Sequence, residues 1–453
     1  MSKGCPMLCI GHSAMNGEII MKRTLYLNAR IVTMDKQDEI IDGCMLIEGS
    51  KIKYIGPFKE TLKKDEVIDC KNNIIMPSFI NAHAHSPMTL FRGYAEGLAL
   101  SEWLNDYIFP AEQKLDDDCV YWATMLALYE QAKNGITSTS DMYFFCDSIA
   151  QAVKDSGCKM NIARSISCME NMADYSKYYS VVEAENLLEK YPYTKKGAIM
   201  AECSVHSEYT TNPGVCAKVL ELAKKHHTSI NLHLSETQSE QDQCILRHSL
   251  TPMQYFEQLG YLTVPLTLAH CVYVTPDDIK VMQKGNVTVA HCPVSNLKLA
   301  SGIAPVPQLL NRGINVALGT DSVTSNNNLN FLEEIKLAAI LHKGINKDPK
   351  LINSFEALKM ATVNGAKCQG RQDQCGKIKV GFDADFIILN SNECEFIPSF
   401  SIYDQVVFSA TPSNIVMTVC QGKTLYKNGV YTAFDYDTIK HQFNRVLKKI
   451  YNK

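Results

Sequence analysis

Four histidines and one aspartate stand where short aliphatic runs of this sequence end. His83 and His85 lie two apart in IIMPSFINAHAHSP, so they project from the same face of a strand. His233 lies in SINLHLSE, His270 follows LTLA, and Asp321 follows INVALGT. Imidazole nitrogens and a carboxylate oxygen are ligands that a divalent cation such as zinc accepts. A lone histidine in such a place is more often a hydrogen-bonded structural residue, but five polar residues at equivalent positions predict a metal site.

The runs that end in these residues alternate with segments of helix length, such as CVYWATMLALYEQAKNG. Two runs end in Ala-His-Cys, at His270 and His291, and are separated by PDDIKVMQKGN, which is long enough for a right-handed crossover. This alternation indicates parallel strands, and we expect an α/β fold with a (β/α)₈ barrel over residues 79–375. In such a barrel, polar residues that follow a strand point into the end where active sites lie.

Both ends of the chain carry short β-rich segments bounded by turn residues. Residues 22–78 contain TLYLNARIVTM, CMLIEGSKIKYIG and VIDCKNNIIMPS, and residues 376–453 contain GKIKVGFDADFIILN and a hairpin signal at Asn428. We expect the two segments to build one small β-sandwich domain. The last of them closes with YDTIKHQFNRVLKKIYN, which has the apolar spacing of a surface helix. Residues 1–21 lack this regularity and are interpreted as a leader outside the fold.

Composition narrows the class of partner. The formal net charge of −3 leaves no excess of lysine and arginine to attract nucleic acid or an acidic membrane surface, so we expect a small-molecule substrate. No apolar stretch approaches membrane-spanning length. The 17 cysteines are scattered singly, which favours a reducing cytoplasm, and Cys271 and Cys292 are interpreted as buried apolar residues. The oligomeric state stays open, a homo-oligomer included.

Long stretches of the sequence resemble the amidohydrolase superfamily, and within it the 5′-methylthioadenosine/S-adenosylhomocysteine deaminases, over residues 22–450. They are PSFINAHAHSPMTLFRGYAEGLALSEWLNDYIFPAE, HLSET, LAHCVYV and HCPVSNLKLASGIAPVPQLLNRGINVALGTDSVTSNNNLNFLEEIKLAA. The resemblance implies hydrolytic removal of the 6-amino group of adenine from 5′-methylthioadenosine, S-adenosylhomocysteine or a related 5′-substituted adenosine. The products would be the inosine analogue and ammonia, formed by attack of a metal-bound hydroxide.

The resemblance also assigns the metal site. It implies four ligands of one divalent metal ion, zinc in preference to iron: His83, His85, His233 and Asp321. Binuclear relatives carry a bridging lysine, but the corresponding run IMAECSVHSEY offers His206 and no lysine, so a single metal is expected. His270 resembles the catalytic histidine beside the metal-bound water.

The proton transfers of such a reaction need a carboxylic acid close to the ring. Glu236, three residues after His233, is interpreted as the acid that protonates the ring nitrogen and later the leaving amine. Asp321 is expected to accept the proton of the water while it binds the metal. Three residues along a strand place Glu236 on the opposite face from His233, so the chain must turn directly after the strand.

Further residues are expected to bind the substrate. The resemblance assigns Glu112 to the ribose hydroxyls, His206 to a ring nitrogen of adenine and Arg164 to the carboxylate of S-adenosylhomocysteine. Trp103 is interpreted as a pocket wall, with core packing as the alternative. A second family arginine has only Lys177 near its position. We therefore expect neutral or small 5′ substituents to be accepted at least as well as S-adenosylhomocysteine.

Two alternative functions stay open. The same metal site suits deamination of guanine or another aminopurine, or hydrolysis of an s-triazine, and Glu112 discriminates because those substrates lack ribose. A non-catalytic binding protein would keep the barrel without the chemistry. The intact set of site residues argues against that alternative: His83, His85, His233, Glu236, His270 and Asp321.

Overall fold

The computed structural model of the chain describes residues 21–37, 39–98, 102–433 and 435–451. The predicted leader falls on residues 1–21 and, apart from its last residue, lies outside the described residues. The strands are β1 (Arg23–Val32), β2 (Ile40–Glu48), β3 (Lys51–Gly56), β4 (Glu66–Asp69), β5 (Ile74–Pro77), β6 (Phe79–Ala84), β7 (Ile136–Tyr143), β8 (Lys159–Arg164), β9 (Ile199–Ser204), β10 (Ile230–Leu234), β11 (Leu266–His270), β12 (Val287–His291), β13 (Asn315–Leu318), β14 (Phe386–Leu389), β15 (Ile415–Cys420), β16 (Lys423–Lys427) and β17 (Val430–Tyr431).

Most helices lie between the parallel strands. The α-helices are α1 (Phe109–Glu112), α2 (Asp117–Lys133), α3 (Cys146–Ser156), α4 (Tyr179–Lys190), α5 (Pro213–His226), α6 (Gln238–His248), α7 (Pro252–Gln258), α8 (Pro276–Met282), α9 (Pro293–Lys298), α10 (Val306–Asn311), α11 (Val323–Asn326), α12 (Phe331–Asn346), α13 (Ser354–Ala361), α14 (Val363–Cys368), α15 (Ile402–Asp404) and α16 (Tyr436–Tyr451). A π-helical segment, Trp103–Ile108, leads directly into α1. Among the described residues, no helix combines the length and the apolar composition that crossing a bilayer requires.

Eight parallel strands, β6 to β13, pair in chain order. A parallel bridge between Ala84 and Asp321 joins the last strand to the first, and the Asp321 amide donates to the His83 carbonyl at 3.0 Å. Gly319 permits this closure, because a Cβ there would lie 3.0 Å from both Cβ and the backbone nitrogen of His83. The predicted (β/α)₈ barrel is confirmed.

The two chain ends build one mixed sheet, in the order β17-β16-β15-β14-β5-β1-β2-β3, with β4 beside β1. Backbone hydrogen bonds join Ser50 and Ile52 to residues 381–384, which lead into β14. The edge strand β3 is thereby brought back to the middle of the sheet, so the sheet folds over. Its fold encloses a separate apolar core that includes Ile31, Met45, Ile52 and Phe386. The expectation that both ends form one β domain is confirmed. The final helix, α16, buries Ile439, Val446 and Ile450.

Candidate metal and active site

The predicted metal residues converge at the carboxyl ends of four barrel strands. His83 lies in β6 and His85 follows it, His233 lies in β10, His270 ends β11, and Asp321 follows β13 by three residues. All five are at least largely buried, and His83 is fully buried. Parallel strands place their carboxyl ends at one rim of a barrel, so residues far apart in sequence meet there.

The donor atoms lie at the spacing of a metal coordination shell. His85 Nε2 is 3.2 Å from His233 Nε2 and 3.3 Å from Asp321 Oδ1, and His83 Nε2 is 3.6 Å from Asp321 Oδ1. Zinc holds such ligands at about 2.0–2.1 Å, which places tetrahedral neighbours roughly 3.3 Å apart. Donor atoms of two overlapping groups, His83/His85/His233 and His83/His270/Asp321, lie within 4.8 Å of one another. These distances fit a bound cation.

His83 gives independent support for a cation. Neither of its ring nitrogens has a hydrogen-bond partner, although the side chain is fully buried. An unsatisfied buried polar group costs about 1–3 kcal/mol, so a ligand bound at these nitrogens would remove a real penalty. Burial, and then the charge of His85, lowers the pKa of His83 well below its usual value. The ring is therefore in the neutral form that binds metals.

The rings of His85 and His233 are oriented by hydrogen bonds on the side that faces away from the site. The Nδ1–H groups of His85 and His233 donate to the carbonyls of Met142, at 2.6 Å, and His206, at 2.8 Å. This leaves each Nε2 atom free to bind a metal, which is a common arrangement in metalloproteins. Burial alone would lower the pKa of His85, but the hydrogen bond and charge of Asp321, the Met142 carbonyl and the charge of Asp141 together outweigh it and raise the pKa to about 9.

Two serines and an asparagine support the remaining groups. Asp321 Oδ2 accepts from Ser295 Oγ at 2.6 Å and from Ser325 Oγ at 2.8 Å, while Oδ1 faces the histidines. His270 Nδ1 lies 2.8 Å from Asn296 Oδ1 and donates to it, so His270 Nε2 faces the site. These three supporting residues were not predicted. They lie within stretches quoted for the family resemblance, but short polar side chains carry no spacing signal of their own.

Glu236 joins the site through a sharp turn. Ser235 has φ +49°, so the chain reverses directly after β10, as the sequence required. Glu236 Oε2 then lies 3.8 Å from His270 Nε2, and Ser301 Oγ lies 3.4 Å from Glu236 Oε1. Burial raises the pKa of Glu236 above its usual value, which favours the protonated acid.

Glu240, which was not predicted, holds this turn. Its carboxylate oxygens accept from the backbone amides of Ser235, at 2.8 Å, and Glu236, at 2.7 Å. The residue is 6% exposed and lies in the first turn of α6, whose N-terminus is capped by Thr237. Burial raises the pKa of Glu240 to about 7. Its spacing from Glu236 resembles an ordinary helical surface position, so no sequence pattern singles it out.

A small cavity of about 90 Å³ lies beside the metal residues, and its lining includes Trp103, Glu112, His206 and Glu236. Tyr143 Oη donates to Glu112 Oε1 at 2.6 Å, and burial raises the pKa of Glu112 to about 7. Trp103 is 6% exposed and also packs in the main apolar core. It therefore lies both in the pocket wall and in the core, the two environments that were considered from the sequence. Burial lowers the pKa of His206 to about 4.

Arg164 lies outside this cavity. It lines an adjoining outer chamber of about 1050 Å³, where its Nε atom pairs with Glu183 Oε2 at 2.6 Å. Lys177 lies 3.6 Å from Asp174 and lines neither space. Sequence reasoning missed Glu183, because nothing in the local pattern connects a helix residue to an arginine 19 positions earlier.

The fold and this cluster of histidines and carboxylates define a class of hydrolase, and comparison with known proteins identifies it. Residues 74–425 match the model of the amidohydrolase family, and the chain belongs to that family.

Individual relatives of the chain have names that describe narrower activities than the family does. The chain is 37% identical to 5-methylthioadenosine/S-adenosylhomocysteine deaminase of Caldicellulosiruptor saccharolyticus, over 94% of this chain and 98% of that protein. It is 41% identical to 5′-deoxyadenosine deaminase of Methanocaldococcus jannaschii, over 81% of this chain and 86% of that protein. A crystal structure of an adenosine deaminase from Xanthomonas campestris with bound zinc matches with a TM-score of 0.89 and 26% identity, covering 95% of this chain and 99% of that one.

Proposed function

We propose that this protein is a metal-dependent hydrolase that removes the 6-amino group of adenine from a 5′-substituted adenosine. 5′-Methylthioadenosine, 5′-deoxyadenosine and S-adenosylhomocysteine are the substrates of this class that its relatives' names suggest. Water replaces the amino group, so the products are the inosine analogue and ammonia. The observation that carries the proposal is the buried acid Glu236, with its raised pKa, 3.8 Å from His270 at the cluster of metal-binding side chains.

Four residues would hold one divalent metal ion, for which we propose zinc: His83, His85, His233 and Asp321. When bound, such an ion lowers the pKa of a coordinated water to about 7 and so supplies a nucleophile at neutral pH. The donor distances and the unsatisfied nitrogens of His83 support this assignment. A single ion is proposed because the segment that includes β9 offers His206 and no lysine to bridge a second one.

The protons move on the protein's own groups. Protonated Glu236 donates to the ring nitrogen next to the carbon under attack. The proton that the nucleophile gives up then returns Glu236 to its acid form, so that it can protonate the departing amine. Asp321 accepts the proton that the nucleophile gives up, on a carboxylate that Ser295 and Ser325 hold in place. His270, oriented by Asn296, presents Nε2 to the developing oxygen charge.

The cavity beside these groups would bind the nucleoside. Glu112 accepts from the vicinal ribose hydroxyls while Tyr143 holds its other oxygen, and His206 hydrogen-bonds a ring nitrogen of adenine. Trp103 provides an apolar wall. The described cysteines are all free thiols, which supports a reducing compartment such as the cytoplasm.

A substrate panel tests the proposal. Zinc-loaded protein is given 5′-methylthioadenosine, adenosine, adenine, guanine and a chlorinated s-triazine, and ammonia release is measured. We expect turnover of the two nucleosides and a much lower kcat/KM for adenine, because adenine lacks the ribose hydroxyls that Glu112 binds. Glu112→Ala should reduce the difference between adenosine and adenine. Turnover of guanine or the triazine alone would overturn the substrate assignment.

A further inference from the structure

The outer chamber adjoins the catalytic cavity and shares part of its wall. Phe109, Glu112, Phe144 and Tyr209 line both spaces, whereas Glu236 and His270 line only the inner one. Under the proposed function, adenine lies at Glu236 and ribose at Glu112. The 5′ carbon of the bound nucleoside then points towards the outer chamber, which has room for an extended substituent.

The chamber carries an excess of negative charge. Its wall contains five carboxylates and two cationic side chains: Glu112, Asp117, Asp147, Glu170 and Glu183, with Arg164 and Lys190. Both cations are already paired, because Arg164 lies 2.6 Å from Glu183 and Lys190 lies 2.6 Å from Asp147. Even with Glu112 half protonated near neutral pH, Asp117 and Glu170 leave the chamber acidic.

Arg164 is poorly placed to bind an anionic substituent. Its Nε atom donates to Glu183 and its Nη1 atom to the Ser165 carbonyl. The contact with Glu183 occupies the Nε–H of the Nε/Nη2 edge and neutralises much of the guanidinium charge, so a substrate carboxylate would have to compete with Glu183. The guanidinium also lies 5.0 Å from the ring of Phe144 and 5.6 Å from that of Tyr179, and the residue is buried.

The aromatic wall favours the opposite charge. Phe145 and Tyr178 line the chamber together with Phe144 and Tyr179, whose rings already face Arg164. The face of an aromatic ring attracts a cation, and an acidic cavity with low-dielectric walls concentrates cations further.

We propose that the outer chamber selects adenine nucleosides whose 5′ substituent carries a positive charge, such as a primary amine or a sulfonium, over neutral and anionic substituents of equal length. This inference rests on the proposed deaminase function. It assigns the chamber to substrate specificity, with Glu170 and Glu183 as specificity-determining residues.

Three matched substrates test the inference. They are adenosines with a 5′ thioether that carries a propyl, a 3-aminopropyl or a 2-carboxyethyl group. Ammonia release gives kcat/KM for each at low and high salt. We expect the amine to exceed the propyl compound by about fivefold, and the carboxylate to fall below it by a similar factor, as for partly screened charges. High salt should compress both differences.

Variants that replace one carboxylate with a neutral amide show which residues cause the charge preference. Glu170→Gln should reduce the preference for the amine, and Glu183→Gln should raise kcat/KM for the carboxylate because it frees Arg164. Glu189→Gln is the matched control, since Glu189 lies exposed on the same helix as Glu183 and does not line the chamber. Glu189→Gln should leave kcat/KM for all three substrates unchanged.

Failure of the charge selection and failure of the proposed deaminase function would give different results. Equal kcat/KM for the three substrates, or a preference for the carboxylate, would overturn the charge selection and leave the deaminase intact. Ammonia from none of them, and none from adenosine, would overturn the proposed function and the inference together.

Discussion

The two ends of the barrel both bury charged and polar side chains, but they differ in how those side chains are paired. At the amino end, Lys159 begins β8 and its Nζ atom contacts Asp383, at 2.6 Å, and Asp385. Nearby, Arg371 donates to the carbonyls of Gly197 and Ala198 and to Asn161. At the carboxyl end, by contrast, both nitrogens of His83 lack a hydrogen-bond partner. The buried ammonium of Lys159 is paired and joins the barrel to the β domain, whereas the buried imidazole of His83 has no hydrogen-bond partner, as expected of a metal ligand.

Three residues at the carboxyl end also have an unusual backbone conformation. Ser235, His270 and Asp321, at the carboxyl end, have φ values of +49°, +71° and +57°. Non-glycine residues in this left-handed region cost about 1–3 kcal/mol each and concentrate at functional sites. The amino-end residues Lys159 and Arg371 adopt no such conformation. Such residues also occur elsewhere, for example at Lys196 and His227, which precede β9 and β10; at the carboxyl end they fall on the proposed site residues themselves.

The largest effect is expected from Glu236→Gln at the carboxyl end. The amide keeps the size of the side chain but cannot donate and recover the proton, so kcat should fall by roughly 10²–10⁴. Stopped ammonia assays give kcat, and elemental analysis of the same sample should give unchanged metal content. Activity within threefold of the parent would remove Glu236 from the mechanism, since a factor that small is only about 0.7 kcal/mol.

Lys159→Met is expected to affect stability and not catalysis. It leaves Asp383 and Asp385 buried without Lys159, and breaking a buried ion pair costs about 3–5 kcal/mol. Urea unfolding gives the free energy of unfolding, and kcat/KM is measured well below the transition. Lys280→Met is the control, because its pair with Asp277 is exposed and screened by solvent, so its loss should leave the free energy of unfolding nearly unchanged. A stable Lys159 variant with lost activity would reverse the division between the two ends.

Glu240→Gln is expected to lower activity by loosening a turn at the active site. Hydrogen bonds to a charged acceptor contribute about 1.5–3 kcal/mol, so a loosened turn at Ser235 should lower kcat by roughly 10-fold to 100-fold with little change in KM. Asp242→Asn, an exposed change on the same helix, is the control. A fall in stability with normal kcat would make Glu240 a purely structural residue.

The smallest effect concerns pH. Burial raises the pKa of Glu112 to about 7, so the ionised form that accepts from ribose hydroxyls is present above that pH and lost as the pH falls. The ratio of kcat/KM for adenosine to that for its 2′,3′-dideoxy analogue should decrease about tenfold from pH 8 to pH 6. The ratio cancels the titration of groups that act on both substrates. A ratio independent of pH would separate Glu112 from ribose recognition.

The sequence predicted the parts of the molecule that depend on regular spacing. The two-residue separation of His83 and His85, and the polar residues after aliphatic runs, indicated both the strands and the rim where the side chains meet. The barrel was predictable for the same reason, because alternation of strands and helices leaves few topologies. The structure brings these residues together. Their roles in metal binding and catalysis are part of the proposed function.

The contacts that the sequence did not predict join residues that are far apart in the chain. Lys159 and Asp383 are 224 residues apart, and no local pattern pairs them. Arg164 was expected to face a substrate carboxylate, but the resemblance could not reveal that Glu183 occupies its Nε atom. Likewise, the positive φ values at Ser235 and His270 follow from closure of the site and have no signature in these residue types.

The most direct test of the account measures metal and activity in one set of samples. Metal content by atomic absorption and ammonia release from 5′-methylthioadenosine are determined for the parent protein, His83→Ala and Lys159→Met. We predict one metal ion per chain and full activity in the parent and in folded Lys159→Met, and neither metal nor activity in a folded His83→Ala. A His83→Ala protein that keeps its metal and its activity would contradict the claim that the carboxyl-end cluster around His83 is the catalytic metal site.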